Sequence, residues 1–61
     1  MYKKYEELRN KAQVTDYRVS EDTGITRSTF TDWKTGRSQP KVEKLQTLAN
    51  YFNVSVSYFL E

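Results

Sequence analysis

Sixty-one residues with ten basic and eight acidic side chains make one domain of formal net charge +2, and a chain this short buries only about 60% of the surface its unfolded form exposes. There is no cysteine and no histidine, which removes disulfides, thiolate nucleophiles, the common zinc ligands and the usual general base near neutral pH. No apolar run approaches the ~20 residues needed to span a bilayer, and the opening Met1-Tyr-Lys-Lys-Tyr-Glu-Glu7 lacks the apolar centre of a signal peptide, so the chain is expected to be soluble and cytoplasmic.

Tyr5, Leu8 and Ala12 fall at i, i+3 and i+7, the spacing of an amphipathic first helix over about 2–12. Thr15 is placed to cap a second helix, about 16–23, and Thr26 to cap a third, about 27–35. Gly24 stands between them. A glycine takes positive φ at such a corner without a Cβ penalty, and a side chain there is also expected to crowd the helix crossing. Ser20, four residues before Gly24, is small enough for the second helix to approach, while Val19, Ile25, Phe30 and Trp33 supply the apolar seam. Gly36 ends the third helix, and Arg37-Ser-Gln-Pro40 makes a polar connector. Pro40 suits the first turn of a fourth helix, about 40–52, with Val42, Leu45, Leu48, Ala49 and Phe52 on its apolar stripe. Ser55 offers a cap for a short last helix carrying Val56, Phe59 and Leu60, with Leu60 and Val54 expected in the core.

Charge is unevenly distributed along this frame. From Met1 to Thr23 five basic and five acidic side chains cancel. From Gly24 to Lys44, Arg27, Lys34, Arg37, Lys41 and Lys44 stand against only Asp32 and Glu43, and the remainder holds Glu61 alone. The positive surplus therefore lies on the third helix and the segment after it. Taken alone, such a run is ordinarily a solvated face.

The helix–corner–helix segment, followed by Trp33-Lys-Thr-Gly36, Pro40, an apolar helix and Phe52-Asn-Val-Ser-Val-Ser-Tyr-Phe-Leu60, resembles the XRE-type helix-turn-helix family of phage Cro and repressor DNA-binding domains. The resemblance covers nearly the whole chain. It implies an all-α, compact five-helix domain over residues 1–61, with the helix-turn-helix formed by helices 2 and 3 and helix 3 inserted in the major groove. It further implies a transcriptional regulator, most simply a repressor, bacterial or phage-encoded and acting on the nucleoid. The partner is double-stranded operator DNA, palindromic if the protein pairs as a weak homodimer that is cooperative on DNA. The chain is either a standalone regulator or the N-terminal part of a longer repressor. Family members often carry Ala where this chain has Ser20, and often Gln at the start of helix 2 to grip a phosphate; here that place holds Asp16, whose carboxylate suits the helix dipole but repels the DNA backbone.

With Phe30 and Trp33 inward, Arg27, Ser28, Thr31 and Asp32 project from the opposite side as four hydrogen-bonding side chains. Arg27 can fork onto guanine O6 and N7, Ser28 can donate or accept, the Thr31 methyl can touch a thymine methyl, and Asp32 can accept from cytosine N4 or reject bases that offer only acceptors. Trp33 three residues after Phe30 belongs to the inward stripe, although an exposed Trp can stack on a base. The resemblance suggests backbone contacts at Lys34, Thr35, Arg37, Ser38 and Lys41, and Thr15 and Thr26 are further backbone candidates, as is Tyr17, which beside the start of helix 2 can give its hydroxyl to a phosphate; such contacts set affinity and register rather than sequence. Tyr5 and Tyr51 fit packing faces, while Tyr2, Tyr17 and Tyr58 are expected to be partly exposed.

Val56, Tyr58 and Phe59 crowd the last helix and are candidates for a two-fold contact; the competing role is to cover helices 1 and 4. A second function class is a protein-interaction module of the same fold, such as an antitoxin or regulator partner, using the apolar C-terminal helix. Such a module has no need of basic residues gathered on one side. No metal-ligand spacing, glycine-rich phosphate loop or paired carboxylates occur, so no enzyme activity and no cofactor are expected.

Overall fold

Five α-helices follow one another in the computed structural model, which describes residues 1–61: α1 (Tyr2–Ala12), α2 (Asp16–Thr23), α3 (Arg27–Thr35), α4 (Val42–Phe52) and α5 (Ser57–Leu60). The architecture is all-α, and α2 and α3 are joined across the three residues Gly24, Ile25 and Thr26. No helix is long and apolar enough to cross a membrane.

Nine residues are buried: Tyr5, Val19, Ile25, Phe30, Trp33, Leu45, Leu48, Ala49 and Phe59. The expected seam of Val19, Ile25, Phe30 and Trp33 is therefore interior throughout. Aromatic rings do much of the packing. Tyr5 stacks on Phe30 with centroids 4.8 Å apart and planes within 3°, Trp33 meets Phe30 edge-on at 5.4 Å, and Phe52 meets Tyr5 edge-on at 6.2 Å. Contacts of this kind add about 0.5–1.5 kcal/mol each beyond the area they bury. That matters in a domain whose total stability is on the order of 5 kcal/mol.

Left-handed residues end four of the helices. Gly36 (φ 80°) closes α3 with Arg37 N–H donating to the Asp32 carbonyl at 2.9 Å, a Schellman closure. Gln13 (φ 58°) and Asn53 (φ 59°) close α1 and α4 in the same manner, with Val14 N–H on the Arg9 carbonyl and Val54 N–H on the Ala49 carbonyl. Gly24 (φ 80°) closes α2 by a single bond to the Ser20 carbonyl at 2.9 Å. The Thr23 hydroxyl braces this corner, donating to the Val19 carbonyl at 2.7 Å and accepting from Ile25 N–H at 3.2 Å.

Several expectations change. A Cβ built on Gly24 meets nothing within 4 Å, so the glycine is required by its positive φ and not by crowding of the helix crossing. Pro40 precedes α4 instead of entering its first turn: Lys41 is extended and its carbonyl accepts the first helical bond, from Leu45 N–H at 3.1 Å. Val42, at the very start of α4, is 68% exposed, and Ala12, at the far end of α1, is exposed as well, so neither joins the core expected of it. Thr26 occupies the cap position of α3, yet its hydroxyl bonds the Ser28 and Thr29 hydroxyls and caps no backbone N–H. Thr15 does cap, accepting from Arg18 N–H at 3.1 Å.

The end of the chain reverses the expected assignment. Phe59 is buried and Leu60 is 65% exposed. Neighbouring side chains on a helix project about 100° apart, and on this single turn the inward direction falls to Phe59. Val56 rather than Ser55 holds the cap position of α5, and the Ser55 hydroxyl accepts from Ser57 N–H at 3.3 Å just ahead of it.

Left-handed geometry costs an L-residue about 1–2 kcal/mol, and the four corners allow a direct check. Gly24→Ala should lower stability by about 1 kcal/mol and Gly24→Val by more, whereas Gln13→Gly should raise it by about 0.5–1 kcal/mol. Thermal unfolding would show this as opposite shifts in Tm, about 4–8 °C per kcal/mol for a domain of this size. Unchanged melting of Gly24→Val would contradict the corner.

Candidate nucleic-acid interface

The exposed side of α3 is built by exclusion. Phe30 and Trp33 turn inward, with Thr29 half-buried beside them, so Arg27, Ser28 and Thr31 are left exposed and Asp32 is partly covered. All four residues expected to read bases therefore share one side of the helix. Helical phase adds Thr35, expected only as a backbone contact: it lies seven residues after Ser28 and four after Thr31, on the same row. The Thr31 and Thr35 hydroxyls donate to the carbonyls of Arg27 and Asp32, each at 3.3 Å, which orients both side chains along the helix.

One edge of this face is bordered by the start of α2. The Arg27 guanidinium carbon lies 5.3 Å from the centroid of the Tyr17 ring, within cation–π range. Lys34, one row further along α3, acts electrostatically on Asp16. Asp16 is held from α1: the Tyr5 hydroxyl donates to its Oδ1 at 2.6 Å and Arg9 Nη1 reaches the same oxygen at 2.8 Å. Burial acts to raise the Asp16 pKa, but these two hydrogen bonds and the Arg9 charge outweigh it and hold the carboxyl below its usual range. Burial, then the Asp16 carboxylate, pushes the Tyr5 phenol well above its ordinary value. The residue at the phosphate-gripping place is thus an internal anchor, and its charge is neutralised by Arg9 rather than presented outward.

The other edge leads into the connector and the start of α4. Thr29, Trp33, Ser38, Gln39, Pro40, Lys41, Glu43 and Lys44 line a hollow of about 230 Å³. Thr29, Gln39 and Lys44 were not singled out by sequence; for Lys44 the signal was its membership of the basic run. Arg37, Ser38 and Lys41 are all exposed along this edge, as are Lys34 and Thr35 at the end of α3. Thr15, Tyr17 and Thr26 are exposed at the other, with the Thr15 hydroxyl already accepting the cap bond.

Ion pairs take up three of the five cations that precede α3 and none of the five from Arg27 onward. The four salt bridges are Lys4–Glu61, Arg9–Glu6, Arg9–Asp16 and Arg18–Asp22. None involves Arg27, Lys34, Arg37, Lys41 or Lys44, all of which are exposed. The charge surplus of the sequence therefore becomes a surface of uncompensated cations running from α3 to the first turn of α4.

A family model described as helix-turn-helix matches residues 6–59, nearly the whole chain. The chain belongs to the XRE-type helix-turn-helix family. Membership makes it a DNA-binding domain of a transcription-regulator family, with α2 and α3 as the motif. Neither the curated proteins nor the solved structures yield a match to it.

The three side chains named for a two-fold contact are placed differently from one another in this helix-turn-helix domain. Phe59 is buried and unavailable as an exposed ring, which corrects the expected patch. Val56 and Tyr58 are half-buried against the core. Tyr58 is also engaged with α1, since Lys4 Nζ donates to its carbonyl at 3.0 Å and lies 5.2 Å from its ring centroid.

The Asp16 anchor has a defined pH signature. A carboxyl depressed by folding contributes stability that is complete above its unfolded value of about 3.9 and is lost as pH falls through the lower native value. Asp16→Asn should cost about 1–2 kcal/mol at pH 7, the partial exposure of the carboxylate trimming the usual worth of charged hydrogen bonds. It should also flatten the fall in stability below about pH 4. Urea unfolding of both proteins between pH 7 and pH 2 measures this. Parallel curves would mean that Asp16 is not held in its charged form.

Proposed function

We propose that this domain is a transcriptional repressor that lays α3 in the major groove of double-stranded operator DNA. Five exposed cations without ion pairs on α3, the connector and the start of α4 carry the reading: a polyanion supplies the charge the fold withholds. In this reading Arg27 forks onto guanine, Ser28 and Thr31 meet neighbouring base edges, and Asp32 accepts from a cytosine amine. Lys34, Thr35, Arg37, Ser38 and Lys41 follow the phosphates on one side, and Thr15 and Thr26 flank them on the other. A protein-interaction module working through α5 is less well supported, because Phe59 is turned inward and Leu60 is the only exposed large apolar side chain of that helix.

The operator is palindromic in this proposal, with two copies pairing weakly and setting their α3 helices about one DNA turn, ~34 Å, apart. Leu60, exposed at the end of α5, is the natural centre of such a contact, with the outer edges of Val56 and Tyr58 around it. The contact is small, so pairing is expected on DNA rather than in dilute solution.

Binding to a duplex selected from random DNA, compared with unselected duplex across a salt series, tests the main reading. Arg27→Ala should cost about 1–3 kcal/mol on the selected site only and flatten preference at one base pair. The Arg37→Ala/Lys41→Ala double variant should weaken binding to every duplex and reduce the salt slope by about 2. Equal losses on both duplexes for Arg27→Ala would move that residue to the backbone, and an unchanged slope would remove Arg37 and Lys41 from the phosphates.

The pairing proposal has its own measurement. Leu60→Ser should change stability by less than about 0.5 kcal/mol, as exposed positions do, and bring the Hill slope of operator binding down towards one. A Hill slope unaffected by Leu60→Ser would exclude α5 as the contact.

A further inference from the structure

Tyr17 is the most exposed tyrosine of the chain, 56% accessible, while the other four are half-buried or buried. Its ring nevertheless has a specific neighbour, because the guanidinium of Arg27, the first residue of α3, lies over it at 5.3 Å. The contact spans the corner of the motif, with Tyr17 in the first turn of α2 and Arg27 in the first turn of α3.

How each arginine is held differs. Arg9 spends N–H groups on Asp16 and Glu6, and Arg18 spends its Nε–H on Asp22. Arg27 has no carboxylate partner. An aromatic ring attracts a guanidinium through its quadrupole without occupying the N–H donors, which stay available for a bidentate acceptor. It also restricts a long side chain that would otherwise lose its rotamer freedom only on binding. A carboxylate at the place of Tyr17 would localise Arg27 too, but would compete for the donors that guanine O6 and N7 require.

We propose that Tyr17 is a positioning residue for Arg27: its ring holds the guanidinium over the start of α3 with its donors free, and so sharpens preference for guanine. The inference rests on Arg27 reading a base. It transfers the role of Tyr17 from its hydroxyl, which would serve a phosphate, to its ring.

Tyr17→Phe and Tyr17→Leu distinguish ring from hydroxyl. Each is measured with the parent and Arg27→Ala on the selected duplex, on the same duplex with the guanine contacted by Arg27 replaced, and on unselected duplex. Tyr17→Phe should keep the parent's discrimination, and Tyr17→Leu should reduce it about 2–5-fold, the worth of an exposed cation–π contact, with binding to unselected duplex unchanged. In the free protein, proton NMR should show the Arg27 δ-methylene signals shifted by the ring current in the parent and in Tyr17→Phe, and unshifted in Tyr17→Leu. Equal weakening of all three duplexes by both substitutions would overturn the proposal in favour of a hydroxyl–phosphate contact. Discrimination that falls in Arg27→Ala but not in Tyr17→Leu would overturn it while leaving base reading by Arg27 intact. Discrimination unchanged in Arg27→Ala would overturn both.

Discussion

Tyr5 is the side chain on which the arrangement of the two motif helices depends. Its ring, fully buried, stacks on Phe30 of α3, and its hydroxyl reaches 2.6 Å to Asp16 at the start of α2. One residue of α1 thus sets both the depth of α3 and the position of the first turn of α2. A buried phenol needs a partner for its hydroxyl, and a half-buried carboxylate needs donors; each meets the other's requirement, and Arg9 supplies the compensating charge. The outer face of α3 is positioned by this contact although none of the three residues lies on that face.

Charge follows the same division of labour. Of the acidic side chains outside α3 and α4, Glu6, Asp16 and Asp22 pair within α1 and α2 and Glu61 links back to Lys4, while Glu7 and Glu21 make no ion pair. Few are left for α3 and the connector, where Asp32 and Glu43 make no ion pair. A net charge of only +2 therefore understates the local field. A low total keeps self-repulsion small in a domain with little stability to spare, while the partition concentrates the attraction for a polyanion on one surface.

The corners show how such a small fold tolerates strain. Four helix ends use left-handed residues, and only two of these are glycines. Asn at Asn53 is well suited to that conformation, and Gln13 is not. The Schellman bonds at three of these ends and the single bond at Gly24 satisfy carbonyls that would otherwise be orphaned, and their net worth is comparable with the conformational cost they offset.

The bounds of α1, α2 and α3, the left-handed closures at Gly24 and Gly36, the inward stripe of Val19, Ile25, Phe30 and Trp33, and the basic surplus from Gly24 to Lys44 are legible in the order of the residues alone. These are local or periodic properties: a cap, a glycine after a helix and a 3.6-residue spacing act within one or two turns of the chain. Legible too was the set of exposed polar residues on α3, since it is the complement of the inward stripe. The assembly of the helices settled the rest: Phe59 rather than Leu60 points inward, Val42 and Ala12 stay exposed, Asp16 is an anchor bound to Tyr5 and Arg9, and Arg27 lies over Tyr17. Each of these depends on which side chain from a different helix arrives at a given point. That is a property of how the helices cross, to which spacing along any single helix is blind.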